Sequence, residues 1–166
     1  MPAHYASSES NEWHTPPYYV AMARQVMGSI DLDPASCAEA NKTVQAANFF
    51  KESRDGLVRP WYGGGNVWLN PPYGRGSAAK WSSKLIEEYE KGHVKQAILL
   101  VPNSTDTHWF QPLWEYSICF VQGRIKFQAG DGQSARSNTK GSVFVYFGIN
   151  QGEFADVFGG IGHIVE

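Results

Sequence analysis

The tetrapeptide Asn70-Pro71-Pro72-Tyr73 is the part of this chain best suited to chemistry. An asparagine side-chain oxygen and the carbonyl of the next residue can each accept one hydrogen bond from an NH2 group. Two such acceptors draw the nitrogen of a planar amine toward a nucleophilic geometry. Consecutive prolines restrict the backbone, so the acceptors are aimed before a substrate arrives, and Tyr73 offers a ring against which a planar base can stack. The motif follows Val67-Trp68-Leu69, an uninterrupted β-favouring run of the kind buried in a parallel sheet. Open α/β sheets bind ligands just beyond the carboxyl ends of such strands. The competing reading is an Asn-Pro turn that only ends the strand.

Other reactive side chains are less sharply placed. Asp31 and Asp33 lie on a short run, Ile30 to Asp33, that closes on Pro34; Asp33 there could equally cap a turn or helix. Thr15 and Pro16 suit a helix start, and Asp55-Gly56 reads as a turn. Gln122 to Gly141 carries Arg124, Lys126, Arg136 and Lys140 against Asp131 alone, a local charge of +3 (four minus one) in a chain of formal charge −2. Such a loop could track phosphates, with Gln128, Gln133 and Asn138 able to read base edges; a solvated hairpin is the plainer reading of each residue. Gly74-Arg75-Gly76-Ser77 could nest an anion at a helix start, and Arg75 could meet phosphate, but the segment lacks the lysine and spacing of a nucleotide-hydrolysing P-loop. The five histidines are scattered without hydrolase or metal spacing, and Cys37 and Cys119 stand apart, so free thiols, a reducing compartment and no metal are expected. Trp61, Trp68, Trp81, Trp109 and Trp114 read as packing residues.

These groups need a scaffold. A chain of 166 residues, 42% hydrophobic and 14% aromatic, suits one domain with its own core. Its apolar runs, such as Ala97 to Val101, are too short to cross a bilayer, and its polar start lacks the pattern of a secretory signal, so the cytoplasm is the expected location. Residues 1–12 read as a disordered lead and 13–166 as the domain. Helices are expected over Tyr18–Met27, Ala35–Val44, Ala78–Lys91 with Ser77 as cap, Thr105–Glu115 and Glu153–Phe158. Strands are expected over Ile30–Asp33, Asn66–Leu69, Gln96–Val101, Ser117–Val121 and Ser142–Gly148. The alternation predicts an α/β domain whose mostly parallel sheet is flanked by helices. The polar linker before the last strand has no helical pattern, which predicts that the last two strands pair antiparallel as a long-looped hairpin.

The tetrapeptide resembles the catalytic motif of amino-methyltransferases that use S-adenosylmethionine. The wider chain resembles the phage-type DNA N6-adenine methyltransferases of the Dam group. The likeness runs in order through Trp13-His14-Thr15-Pro16, Asp31-Leu32-Asp33-Pro34-Ala35, Asn48-Phe49-Phe50, Asp55-Gly56-Leu57, Val67 to Tyr73, Leu100-Val101-Pro102 and Gly123 to Phe127. It implies a single Rossmann-like class I methyltransferase domain with an antiparallel C-terminal strand, S-adenosylmethionine as cofactor, and double-stranded DNA as partner. No membrane and no obligatory protein partner are implied. Catalysis would fall to Asn70, Pro71, Pro72 and Tyr73, acting on an adenine flipped out of the duplex. Cofactor contacts would come from Trp13, His14, Thr15 and Pro16, from Asp31 or Asp33 toward ribose hydroxyls or the ammonium group, and from Asp55 toward the cofactor's adenine. DNA contacts would come from Arg75, Arg124, Lys126, Arg136 and Lys140. The glycine-rich loop that the broad class carries after its first strand is missing after Asp33. Related motifs serve cytosine N4 and protein glutamine, so those substrates are alternatives, as is a non-catalytic nucleic-acid-binding module of the same fold.

Overall fold

The computed structural model describes residues 13–129, 136–137 and 139–166. The lead over residues 1–12, Asp131, Gln133 and Asn138 lie outside the described residues. The chain runs through β1 (Trp13–His14), α1 (Pro17–Met27), β2 (Leu32–Asp33), α2 (Ala38–Val44), β3 (Asn48–Phe49), β4 (Gly65–Leu69) and α3 (Ser77–Glu90). It continues through β5 (Val94–Pro102), β6 (Ser117–Val121), β7 (Lys126–Ala129), β8 (Arg136–Ser137), β9 (Ser142–Phe147), α4 (Gln151–Phe158) and β10 (Gly162–Val165).

A seven-stranded sheet in the order β10-β6-β9-β5-β4-β2-β3 organises the molecule. Strands β3, β2, β4 and β5 are parallel; β9 runs against both β5 and β6, and β10 runs against β6. The uninterrupted apolar runs are explained by burial on both faces. Along β5, Ile98 and Leu100 enter one core cluster and Ala97, Leu99 and Val101 the other; along β9, Phe144 and Tyr146 oppose Val143, Val145 and Phe147. Helices α1 and α4 pack on the first face and α3 on the second. A polar chain stitches the strand starts to the end of α1. Tyr146 donates to Gln96 (2.8 Å), Gln96 donates to Asn66 (3.0 Å), and both amides donate to the Met27 carbonyl, so none of these buried groups goes unpaired.

The expected hairpin of the last two expected strands is present as β6–β9, but β9 also inserts between β6 and β5. Several expectations need correction. The helix expected from Ala35 starts only at Ala38, because the Ala35 N–H donates to the Asp33 carboxylate (3.3 Å) and the Ser36 N–H to the Phe50 carbonyl (2.9 Å). The cap of that helix is Cys37, whose sulfur accepts from the Ala40 N–H. Ser77 does not cap α3; Gly76 holds that place with φ +77°, and the Ser77 hydroxyl donates to the Pro72 carbonyl at 2.5 Å. No α-helix forms over Thr105–Glu115, which is turns followed by a short 3-10 helix, Gln111–Glu115. Pro112 cannot donate there, and the Gln111 amide occupies the Thr105 and Thr107 carbonyls (both 2.8 Å) that a helix would have used. The linker before β9 holds β7 and β8, which join β1 in a small three-stranded sheet, and β10 adds an unexpected edge strand. Among the described residues no helix is long and apolar enough to cross a membrane.

One ion cluster ties α3 to the loop before β4. The Glu88 carboxylate, 1% exposed, accepts from Lys84 (2.8 Å), the Trp61 N–H (3.0 Å) and the His93 ring (2.5 Å). Burial alone would raise its pKa, but hydrogen bonds from Lys84, His93 and Trp61 outweigh that and bring it from 4.5 down to about 2. A depressed carboxylate stabilises the fold above its unfolded pKa and loses that contribution as pH falls through the folded value. Glu88→Gln is therefore expected to lower unfolding free energy at pH 7 by about 3 kcal/mol. The difference from wild type should shrink between pH 4.5 and 2. Urea denaturation at pH 7 and pH 3 checks both.

Candidate active site

Strand β2 leaves the sheet toward β3 on one side, while β4 leaves through α3 toward β5 on the other. The crevice where such connections diverge is the ligand site of open α/β sheets. Asp33 ends β2, and Asn70 follows the last residue of β4, so the two polar side chains face one crevice from adjacent strands.

Two cavities meet there. The larger, about 690 Å³, is lined by Asp33 to Cys37, Phe50, Asp55, Trp81 and the β1 segment. The smaller, about 520 Å³, is lined by Gly74 to Gly76, Pro102, Ser104, Thr107, Trp109 and Lys140. Asn70, Pro72 and Tyr73 border both. The first volume falls within the usual range for small-molecule clefts.

The orientation of Asn70 follows from its partners. Its Nδ2 lies 2.9 Å from the Trp13 carbonyl oxygen and 3.0 Å from Thr15 Oγ1. A carbonyl can only accept, so the nitrogen must face it and Oδ1 is left as an acceptor turned from that contact. Tyr73 stands edge-on to Trp13 (centroids 6.3 Å) and to Phe127 (5.7 Å). Burial raises its phenol pKa well above the ordinary value, so the ring stays neutral.

Asp33 is the unusual electrostatic element. It is buried, and desolvation raises its pKa from 3.8 to about 7, with the Ala35 N–H and the Ser36 side chain opposing. No cation pairs with it among the described residues. A buried carboxylate on a cleft wall without a counter-ion is suited to a cationic ligand group. Asp31 has a different task. Its Oδ2 accepts from the Asn66 N–H (2.8 Å) and sits where a side chain at Gly65, φ +59°, would collide with it. It thus secures the start of β4 and does not line the larger cavity.

The other expected residues divide. Trp13, His14, Thr15 and Asp55 line the larger cavity; Pro16 does not, and instead precedes α1. The Asp55 carboxylate accepts from the Leu57 N–H (2.9 Å), which makes the expected turn. His14 Nε2 lies 3.8 Å from Cys37 Sγ. Arg75 and Lys140 line the smaller cavity. Arg124 and Lys126 are exposed and line neither cavity, and Arg136 on β8 pairs in register with Phe127. Both cysteines are free; burial lifts the Cys119 thiol to about 12. Trp61 and Trp68 are core residues, as expected, and Trp68 also borders the larger cavity. Trp81 and Trp109, expected only to pack, also form cavity walls, and Phe50, Ser104 and Thr107 join them. Nothing in their local patterns marks these five, because each reaches a cavity through tertiary packing.

The family model described as DNA N-6-adenine-methyltransferase (Dam) matches residues 3–156. A protein of Escherichia phage T1 named DNA N-6-adenine-methyltransferase is 31% identical, in an alignment covering 85% of this chain and 64% of that relative. The chain thus spans a little under two thirds of the relative's length. With the Asn-Pro-Pro-Tyr turn standing where two cavities join and the match extending over nearly the whole sequence, the chain belongs to the DNA N-6-adenine-methyltransferase (Dam) family.

Proposed function

We propose that this protein transfers a methyl group from S-adenosylmethionine to the exocyclic N6 of adenine in double-stranded DNA. The observation that carries the reading is that Asn70, Pro72 and Tyr73 form the shared wall of two cavities, one suited to a cofactor and one to a base. The parallel strands β3-β2-β4-β5 with their divergence at β2 and β4, and the antiparallel β9, support reading the fold as a Rossmann-like class I methyltransferase domain.

The residues of the larger cavity fit the cofactor by their chemistry. Asp33 is a buried carboxylate suited to an ammonium group, and Phe50 and Trp81 are apolar walls suited to a planar ring. Asp55 is the candidate partner of the cofactor's adenine NH2. When bound, the cofactor supplies an electrophilic methyl group on a sulfonium centre. The protein's work is then alignment. Asn70 Oδ1 and the Pro71 carbonyl accept from the adenine NH2, orient its nitrogen, and stabilise the positive charge that grows on it. Tyr73, kept neutral, offers its ring to the base. An adenine inside a duplex cannot reach this wall, so it must be flipped out into the smaller cavity, past Arg75 and Lys140.

Labelled methyl transfer to unmethylated double-stranded DNA, followed by digestion to nucleosides, tests the proposal. N6-methyladenine is the expected product; label in cytosine N4 or in protein would overturn the substrate assignment. Arg75 and Lys140 border the smaller cavity, where flanking phosphates would pass. Replacing both by Ala is expected to weaken DNA binding and to reduce the slope of log affinity against log salt by about 2. An unchanged slope in a fluorescence-anisotropy titration would remove them from the DNA path.

A further inference from the structure

We infer that Thr15 is a positioning residue for the reaction: its hydroxyl holds the Asn70 side-chain amide in the orientation that turns Oδ1 toward the target amine. The inference rests on the reaction proposed above and goes beyond it: although Thr15 lines the larger cavity, its hydroxyl is engaged by Asn70, so Thr15 would act through Asn70 and not by holding the cofactor that the resemblance assigned to it.

The geometry is local and complete. The Asn70 amide nitrogen carries two hydrogens, and two acceptors stand ready: the Trp13 carbonyl at 2.9 Å and Thr15 Oγ1 at 3.0 Å. Both acceptors are fixed independently of Asn70. The Trp13 backbone is held because β1 pairs with β7, Trp13 opposite Ala129 and His14 opposite Gln128. Thr15 is buried at 5% exposure and lies between that pairing and the prolines that start α1. An amide that donates both hydrogens to fixed acceptors has one orientation. Flipping it would set Oδ1 against a carbonyl oxygen, with no hydrogen between them. Donation from the nitrogen also polarises the amide and makes Oδ1 a better acceptor. With Thr15 unable to accept, one amide hydrogen would face a methyl group in a buried place, and the side chain would keep a single anchor.

The same segment braces the adjacent aromatic. Trp13 is edge-on to Tyr73, and Phe127 on β7 is edge-on to it from another direction. The β1 strap therefore acts on both ends of the motif, through ring packing at Tyr73 and through hydrogen bonds at Asn70.

The test uses the full chain with Thr15→Val, which keeps the shape and removes the hydroxyl, and Thr15→Ser, which keeps the hydroxyl. Single-turnover methyl transfer at saturating cofactor and DNA should fall about tenfold in Thr15→Val. It should return to within about threefold of wild type in Thr15→Ser, with affinity for S-adenosylhomocysteine changed less than about threefold in both. In an Asn70→Ala background, Thr15→Val should have no further effect. Hydrogen exchange of the Asn70 side-chain NH2, followed by 15N NMR, should be slow in wild type and about tenfold faster in Thr15→Val, whatever the reaction proves to be. A loss of S-adenosylhomocysteine affinity as large as the loss of rate would mean that Thr15 touches the cofactor, and would overturn the inference. So would additive effects with Asn70→Ala or unchanged exchange at Asn70. A wild-type protein that transfers no methyl group would overturn the reaction instead, and the exchange measurement would still decide the placement.

Discussion

Asn70→Ala is expected to lower single-turnover methyl transfer by about two to three orders of magnitude while leaving S-adenosylhomocysteine affinity within a few-fold of wild type. The reason lies in how the side chain is used. Its nitrogen is bound to the Trp13 carbonyl and Thr15 Oγ1, so in the proposed reaction the remaining oxygen is one of two acceptors offered to the incoming amine. The charge that oxygen meets is small before the reaction and large in the transition state, so its loss falls on the rate more than on binding. Asn70→Asp should fail as well. An aspartate has no amide hydrogens for the Trp13 carbonyl, and setting a carboxylate oxygen against that carbonyl would turn the group away. Equal losses in rate and in cofactor affinity would show that Asn70 serves binding and not transfer.

Substitution of Asp33 should produce opposite effects on stability and on ligand affinity. Its folded pKa of about 7 exceeds the ordinary 3.8 because the carboxyl is buried. Between those values the folded protein binds more protons than the unfolded chain. This group's contribution to stability is therefore greatest below pH 3.8 and is lost as pH rises to about 7. Above pH 7 the ionised carboxylate costs the empty protein on the order of 4 kcal/mol. Asp33→Asn removes that cost and can still accept from the Ala35 N–H, so the ligand-free variant is expected to melt higher than wild type at pH 8 and equally or lower at pH 4. It should also bind S-adenosylhomocysteine about 10- to 100-fold more weakly, since an amide does not neutralise an ammonium group. Wild-type affinity should rise with pH through about 7, and that rise should vanish in the variant. Calorimetric titration across pH with thermal melts at both ends measures all of this. A variant with unchanged affinity would leave Asp33 as a structural carboxyl only.

Some of this was legible from residue order because the physics is local. The runs in β4, β5, β6 and β9 are apolar on both faces, which in a chain of this size means buried strands flanked by helices. Pro16 and Pro17 at the start of α1 and Gly28 after it set that helix's limits through backbone geometry alone. The Asn-Pro-Pro-Tyr turn could be read as an amine-binding element because its acceptors belong to neighbouring residues. The helix expected over Thr105–Glu115 failed for reasons inside the segment that apolar spacing does not register: Pro112 cannot donate, and the Gln111 side chain took the carbonyls that the helix needed. The pairings of β1 with β7 and of β10 with β6 were not legible, since strands of two to four residues carry too little pattern and find partners across long stretches of chain.

Residue order alone thus specified an α/β sheet, an amine-binding type of turn at the carboxyl end of one strand, and a carboxylate on the strand beside it. The fold places the two aspartates differently. Asp31 binds the backbone where β4 begins, whereas Asp33 is enclosed at the cleft, a difference set by where β4 lies against β2. Only the tertiary structure oriented Asn70, because its amide takes direction from a carbonyl 57 residues away in the chain. Burial and long-range hydrogen bonds depend on which segments meet in space, and the order of neighbouring residues does not carry that information.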